Sequence, residues 1–309
     1  MSQKGNSCLI VLVLFLAMAS CGPENSEEVQ APLSEEELIR VMHDSRTDYY
    51  NNKDITSLMN TYSESAVVLS GTLQVASGSE AIEDLIGEEM AQSRGIQNNL
   101  RQTLLFSNQA VLWGVYEWSG MSADGNGEIV TEGPYILELL KEDGSWKVAR
   151  EMWTQDSEIS GSVEWDVIPE DFVEDSEWSD EMDSLARLYN RRDPTLLADF
   201  FSEDALVGMP NHPVIEGRPG VEVFFENHFN NTTDVNLDVS VRSENVLDEE
   251  NVILTGYLKT DTAGGSQVEG RSRFLLLLEL SNPFEVAAGE DAEWQIRWMI
   301  ASGQSLFAF

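Results

Sequence analysis

Residues 50–70 read YNNKDITSLMNTYSESAVVLS, and residues 189–209 read YNRRDPTLLADFFSEDALVGM. Tyr50/Tyr189, Asn51/Asn190, Asp54/Asp193, Leu58/Leu197, Ser63/Ser202, Glu64/Glu203, Ala66/Ala205 and Val68/Val207 all stand 139 positions apart. That offset holds without a gap from Tyr50 to Glu83, whose partner is Glu222. A register kept through helix, turn and strand signals identifies a duplication, and an internal repeat decides the architecture before any single element does.

Local signals agree in the two copies. Ser34-x-x-Glu37 forms a capping box that opens a helix, with Leu38, Val41, Met42 and Tyr49 expected on its buried face. The second copy places Met182, Leu185, Ala186 and Tyr189 at the corresponding helical spacing. Asp54 and Asp193 sit where an N-cap belongs, and Pro194 takes the favoured first helical position. The helix that follows is expected to bury Ile55, Leu58, Met59 and Tyr62, or Leu197, Phe200 and Phe201. A short strand, 66–69 or 205–207, leads to a turn at Gly78 or Gly217. A third helix follows, carrying Ile82, Leu85 and Ile86, or Val221, Phe224, Phe225 and His228.

Beyond it the period changes from helical to alternating. Strands are expected at 100–106, 110–121, 129–140 and 146–153, and again at 237–241, 252–260, 268–280 and 294–301. Asp143-Gly144 marks a tight hairpin, replaced in the second copy by a longer loop at 281–293. Three helices followed by a long antiparallel sheet is an α+β plan. The segments are 34–156 and 177–309 as the two domains, with an acidic linker at 157–176.

The chain carries 55 acidic against 18 basic residues, a formal charge of −37 over 309 residues. Such a surface repels phosphate backbones, which excludes nucleic acid as a partner, and suits a solvated acidic shell or cationic ligands. The two cysteines are Cys8 and Cys21, so the part after Cys21 has no disulfide, cysteine zinc site or thiol nucleophile. HExxH and other metal-ligand spacings are missing, and neither a metal nor a cofactor is expected. Lys4 precedes the apolar run CLIVLVLFLA (8–17), too short for a comfortable membrane span, and then Met18-Ala19-Ser20-Cys21. Residues 1–21 resemble a bacterial lipoprotein signal, with Met18 departing from the usual Leu. The resemblance implies a lipid on Cys21, a tether at 22–33, and an outer-membrane lipoprotein facing the periplasm or exterior. An ordinary secretory leader with an incidental cysteine is the alternative. Asn230 to Thr233 matches a glycosylation sequon and is taken as incidental.

YNNKDITSLMNTYSESAVV, SGSEAI and DGSWKVAREMW in the first copy resemble the nuclear-transport-factor-2-like superfamily, specifically its SnoaL-like branch. So do YNRRDPTLLADFFSEDALV, EGRPGV and AEWQIRWM in the second. The resemblance implies two cone-shaped domains, each three helices packed in a strongly curved, mainly antiparallel sheet with an apolar pocket at its open end. The superfamily includes isomerases, cyclases, hydrolases, dehydratases and non-catalytic binders, so fold decides no activity. Carried over by register, the isomerase base position falls on Ser70 and Met209, and the tyrosine position on Arg46 and Leu185. The second acid falls near Ile136, which disfavours isomerase chemistry.

Other candidates are few. His43 is expected at the rim or surface, His228 on an apolar helical face, and His212 in a turn bordering the second cone's mouth. Strict alternation puts Lys147, Ala149, Glu151 and Trp153 on one strand face, with Trp146, Val148, Arg150 and Met152 on the other. By resemblance the Trp153 face lines the pocket, with Trp113 and Tyr135 as aromatic walls. Glu151 there would hold a cation or transfer a proton, or else be a rim carboxylate in ordinary packing. In the second copy the same face carries Gln295, Arg297 and Met299. Arg218, Arg271 and Arg273 either bind an anion or pair with the abundant carboxylates. The expected role is non-catalytic binding of a small apolar or amphipathic ligand, or a structural role. The alternative is a lyase-, isomerase- or hydrolase-type enzyme working through Glu151 or His212. The two domains are also expected to pack as a pseudo-symmetric dimer within the chain.

Overall fold

The first half runs α1 (Glu35–Asn51), α2 (Ile55–Met59), β1 (Tyr62–Leu69), β2 (Val75–Ser77), α3 (Ser79–Gln92), β3 (Ser93–Leu105), β4 (Gln109–Met121), β5 (Glu128–Glu142) and β6 (Ser145–Trp153). The second repeats that order with α4 (Ser179–Asn190), α5 (Pro194–Ala198), β7 (Phe201–Gly208), β8 (Ile215–Glu216), α6 (Gly217–Asn231), β9 (Val235–Val246), β10 (Asn251–Thr262), β11 (Gly270–Leu280) and β12 (Trp294–Gly303). This computed structural model describes residues 32–71, 74–121, 127–154, 176–232, 235–262, 270–283, 286 and 292–303. The chain divides into two units, Met1–Ser34 and Glu35–Phe309, and every element above belongs to the second. The expected signal segment with Cys21, most of the tether, and the linker apart from Ser176 lie outside the described residues.

The caps hold as the repeat predicts. The Asp54 carboxylate accepts from the Ser57 N–H at 3.0 Å, and Asp193 from Leu196 at 3.1 Å. Each cap satisfies a donor that the first helical turn would otherwise leave orphaned. The short helices end at Met59 and Ala198, so Tyr62 and Phe201 open the next strands instead of extending the helices.

Each half forms a six-stranded mixed sheet, β2-β1-β6-β5-β4-β3 and β8-β7-β12-β11-β10-β9. β1 runs parallel to β6, and β7 to β12, while the other pairs are antiparallel. The fold is therefore the expected α+β plan, built twice, with curved sheets that do not close. The helices cover one face of each sheet and bury a separate apolar core there.

Two expectations about facing are corrected. In α1 the buried residues are Ile39, His43, Arg46 and Tyr50, whereas Leu38 and Val41 are exposed. The helix is rolled away from its apolar stripe because two polar side chains occupy core positions. In β6, Leu139 pairs with Val148 but Glu138 pairs with Arg150, which leaves Ala149 as an extra residue. This bulge resets the alternation, so Trp146 and Val148 share the core side with Trp153. The same slip recurs in β12, where Leu278 pairs with Ile296 and Leu277 with Trp298, leaving Arg297 over.

The outer faces of the sheets meet each other. Leu69, Val111, Trp113, Ile136 and Met152 form a third core with Leu247, Ile253, Leu275, Leu277, Trp298 and Ile300. The Trp113 and Trp298 ring centroids lie 6.1 Å apart. A Cβ at Gly208 would stand 2.3 Å from Pro134 Cγ, so glycine is what lets the two backbones approach. Glu138, also on this side, is held by Arg150 and by Asn245 Nδ2 of the other half at 2.5 Å.

Trp298 is fully buried, so Trp298→Ala leaves a large void at the junction of the sheets. The expected cost is about 3–5 kcal/mol, read as a lower midpoint in urea unfolding. A loss below about 1 kcal/mol would mean that the outer faces contribute little.

Candidate functional site

The bottom of the first core is polar. His43 and Arg46 enter it from α1, Tyr62 from the start of β1, Tyr135 from β5 and Glu151 from β6. Arg46 is buried, and its Nη2 donates to Glu151 Oε2 at 2.7 Å and to the Tyr62 hydroxyl at 2.9 Å. Its Nη1 donates to Thr61 Oγ1 at 2.7 Å, and the guanidinium lies 4.5 Å over the Tyr62 ring. The Tyr62 hydroxyl in turn donates to Glu151 Oε2 at 2.5 Å. One carboxylate oxygen is thus clamped by two donors, while Oε1 makes no hydrogen bond among the described residues. Burial opposes the charge on Arg46, but Glu151 and Tyr62 outweigh it and raise its proton affinity.

His43 forms a second chain. Its Nε2 lies 2.6 Å from the Tyr135 hydroxyl and its Nδ1 3.2 Å from Asp44 Oδ1. Burial, helped by the nearby Arg46 charge, lowers its pKa against the pull of Asp44, so the imidazole is neutral. A carboxylate only accepts, which puts the single N–H on Nδ1 and makes Nε2 the acceptor of the Tyr135 proton. Burial also raises Tyr62 and Tyr135, keeping both as phenols. Tyr135 lies across Gly114, where a Cβ would meet its hydroxyl at 2.2 Å; no other residue would leave the ring room.

These groups face a cavity of about 480 Å³ whose walls include Tyr50, Tyr116, Trp118, Trp153, Leu85 and Ile86. Glu89, on α3, also lines it. Burial, and after it the negative charge of Glu151, pushes the Glu89 carboxyl up to about 8. Tyr50 is pushed up to about 12 by burial and then by Glu89.

Of the residues singled out from sequence, His43, Glu151, Tyr135 and Trp153 meet in this cavity. Trp113 does not. It pairs with Ile136, one rung from Tyr135, and so points through the opposite face into the third core. Arg297 is the bulged residue of β12 and turns to Glu279 at 2.8 Å and Asp204 at 3.8 Å. Arg218 pairs with Asp199 at 3.8 Å. His212 lies in the second half, edge-on to Phe224 at 5.2 Å, and takes no part in the cavity. The side chain of Arg271 lies outside the described residues. His43, expected at the rim, is 2% exposed. Sequence reasoning met Arg46 only as an unfilled tyrosine position and Tyr62 only as a buried helix residue, and passed over Glu89, although the repeat carried the signal: core positions Met182, Leu185 and Phe201 align with His43, Arg46 and Tyr62.

The second core inverts this chemistry. Val68 pairs with Glu151 and its repeat partner Val207 with Met299, so Met299 stands where Glu151 does. Gly114 faces Tyr135 and Gly256 faces Phe274. Met182, Leu185, Phe201, Phe274 and Met299 therefore replace His43, Arg46, Tyr62, Tyr135 and Glu151, and all five are buried together. Glu89 aligns with His228, whose Nε2 lies 2.5 Å from the Tyr189 hydroxyl.

Arg46→Leu alone strands the Glu151 charge and is expected to cost about 3–5 kcal/mol. Adding Tyr62→Phe and Glu151→Met, the second half's own residues, is expected to restore most of that loss in urea unfolding. If the triple variant is no more stable than the single one, the ion pair is not what Arg46 is there to balance. For His228, burial first and then the Arg192 charge lower the pKa from the ordinary 6.5 to about 4. The unfolded chain therefore takes up this proton before the folded one does. Stability present above pH 6.5 is lost as pH falls toward 4, by up to about 3 kcal/mol. Relative to His228→Gln, the wild type should weaken across that window; parallel pH profiles would disprove it.

No known family's sequence profile matches the chain, and no curated protein matches it. Solved structures similar to part of it include a ketosteroid isomerase-like protein from Erwinia carotovora atroseptica, at 17% identity and TM-score 0.38, covering 41% of this chain and 100% of that one. LinA is similar at 16% identity and TM-score 0.36, covering 40% of this chain and 86% of that one. So is an NTF-2-like protein of unknown function from Shewanella oneidensis, at 13% identity and TM-score 0.33, covering 39% and 99%. Each spans about two-fifths of the chain, and none assigns an activity at this distance. The fold stands on strand order and register, and what the chain is similar to is a set of nuclear-transport-factor-2-like and SnoaL-like structures.

Proposed function

We propose that the first cone binds a small amphipathic molecule with a ring skeleton, and that the second is a filled structural copy which holds the first in shape. In this reading the pair is tethered to the bacterial envelope through a lipid on Cys21, as the leader sequence supports. The contrast between the two cores carries the proposal. A core that only had to be stable would use the second half's Met, Leu and Phe, because a buried ion pair seldom beats apolar packing. The first half keeps five polar groups around an open space instead. Its volume falls within the ordinary range for small-ligand pockets.

A second reading, acid–base catalysis of a lyase, isomerase or hydrolase type, is favoured by one observation. The His43–Tyr135 pair, backed by Asp44, and Glu151 face the same cavity, so groups able to relay a proton stand beside a carboxylate acceptor. On this reading His43→Gln would abolish turnover of a bound substrate while leaving its affinity intact.

Titration with the neutral apolar dye Nile red tests the main reading. One bound dye per chain is expected, and Ile86→Trp, which fills the cavity from α3, is expected to abolish it with the circular dichroism unchanged. Two sites per chain, or binding indifferent to Ile86→Trp, would sink the assignment to the first cone.

A further inference from the structure

The polar tips around the cavity are largely spent on the protein itself. The Tyr116 hydroxyl donates to Thr154 O at 2.8 Å, and Trp118 Nε1 to the Tyr50 hydroxyl at 3.0 Å. Tyr62 donates to Glu151. The Tyr135 proton goes to His43, and Arg46 is consumed by Glu151, Tyr62 and Thr61. What remains for a ligand among the described residues is mainly acceptor oxygens and the faces of aromatic rings, with the Thr131 hydroxyl and the Gln74 and Gln92 amides as the neutral donors. Glu151 Oε1 is one such oxygen, and the Glu89 carboxyl makes no hydrogen bond or ion pair among the described residues.

Formal charge points the same way. Arg46 offsets Glu151, which leaves Glu89 on the wall and Glu88 beside it without a counter-ion among the cavity residues. An anionic ligand would meet Glu88, Glu89 and Glu151 with no Arg or Lys among the described cavity residues except Arg46, which is already paired. A neutral ligand bearing only acceptors would leave Glu151 Oε1 desolvated and unpaired. An ammonium group pairs with Glu151 Oε1 and, as the Glu89 proton leaves to solvent, with Glu89 as well, and it rests against π-faces that attract positive charge. The proton affinity of Glu89 is raised first by burial and only after that by the Glu151 charge.

Resting on the pocket reading above, we infer that the ligand is an organic monocation: an amine on an apolar ring or alkyl skeleton, its ammonium held between Glu89 and Glu151 and its skeleton between Tyr50, Tyr116, Trp118 and Trp153. The strongly acidic surface, at −37 overall, would raise the local concentration of such a ligand at the mouth.

The test is calorimetric titration of the whole chain at physiological ionic strength with three matched probes. These are naphthylmethylamine (cation), naphthalenemethanol (neutral) and naphthoate (anion). The amine should bind about tenfold more tightly than the alcohol, and naphthoate should bind weakest. Glu89→Gln, which breaks no hydrogen bond among the described residues, should cost the amine about tenfold and leave the alcohol unchanged. Ile86→Trp should abolish both, which separates cavity binding from attraction to the acidic surface. If the alcohol equals the amine, if naphthoate is tightest, or if Glu89→Gln leaves amine affinity intact, the cation assignment falls while the pocket reading survives. If none of the three binds, both fall together.

Discussion

A sheet has two faces, and in this chain each has to be kept from water. The inner face of each half is covered by its own helices, but the outer face carries Trp113, Ile136 and Met152 in one half and Trp298, Leu275 and Leu277 in the other. Left apart, these would be exposed apolar patches on two small domains, the kind of surface that soluble proteins avoid. Laid against each other they make a third core between the first two. The close passage of Pro134 over Gly208 and the reach of Asn245 to Glu138 fix how the faces meet. The pocket depends on this indirectly. β5 and β6, which carry Tyr135 and Glu151 inward, are clamped from behind by Ile136 and Met152, so the inner side chains have a rigid support.

With the frame held twice over, the two inner cores are free to differ. The second uses the cheaper solution, a continuous apolar filling in which Phe274 and Met299 take the places of Tyr135 and Glu151. The first accepts the desolvation of Arg46 and Glu151, offset by Thr61 accepting from Arg46 and by Tyr62 donating to Glu151 Oε2, while Oε1 is left to the cavity. Polar groups are concentrated around the cavity of the first half, and apolar side chains take the matching positions of the second.

Much of the architecture was legible in the residues. The Asp54 and Asp193 caps, the Asp143-Gly144 hairpin and the long strands follow from local chemistry, and the constant offset showed that they had to occur twice. Two things were not legible. Periodicity counts Leu38 and Val41 as core and His43 as rim or surface, and gives Arg46 no place inside, because it scores side chains by polarity. A helix facing a polar cavity reverses that score, and here only comparison with Met182 and Leu185 reveals it. The bulge at Ala149 was hidden for another reason. One extra residue leaves no mark on composition, yet it shifts which side chains share a face. The alternation that correctly put Glu151 beside Trp153 therefore misplaced Trp146 and Val148, and nothing local separated Trp113 from Tyr135 until pairing across the sheet was known.

That bulge has an implication for ancestry. It sits on the same rung of both sheets, at Ala149 and Arg297, although the two residues have nothing in common chemically. An irregularity shared by both descendants was inherited from the single-domain parent, before its sequence doubled. The contrast between a polar interior and an apolar one, by comparison, belongs to the time after the twins parted.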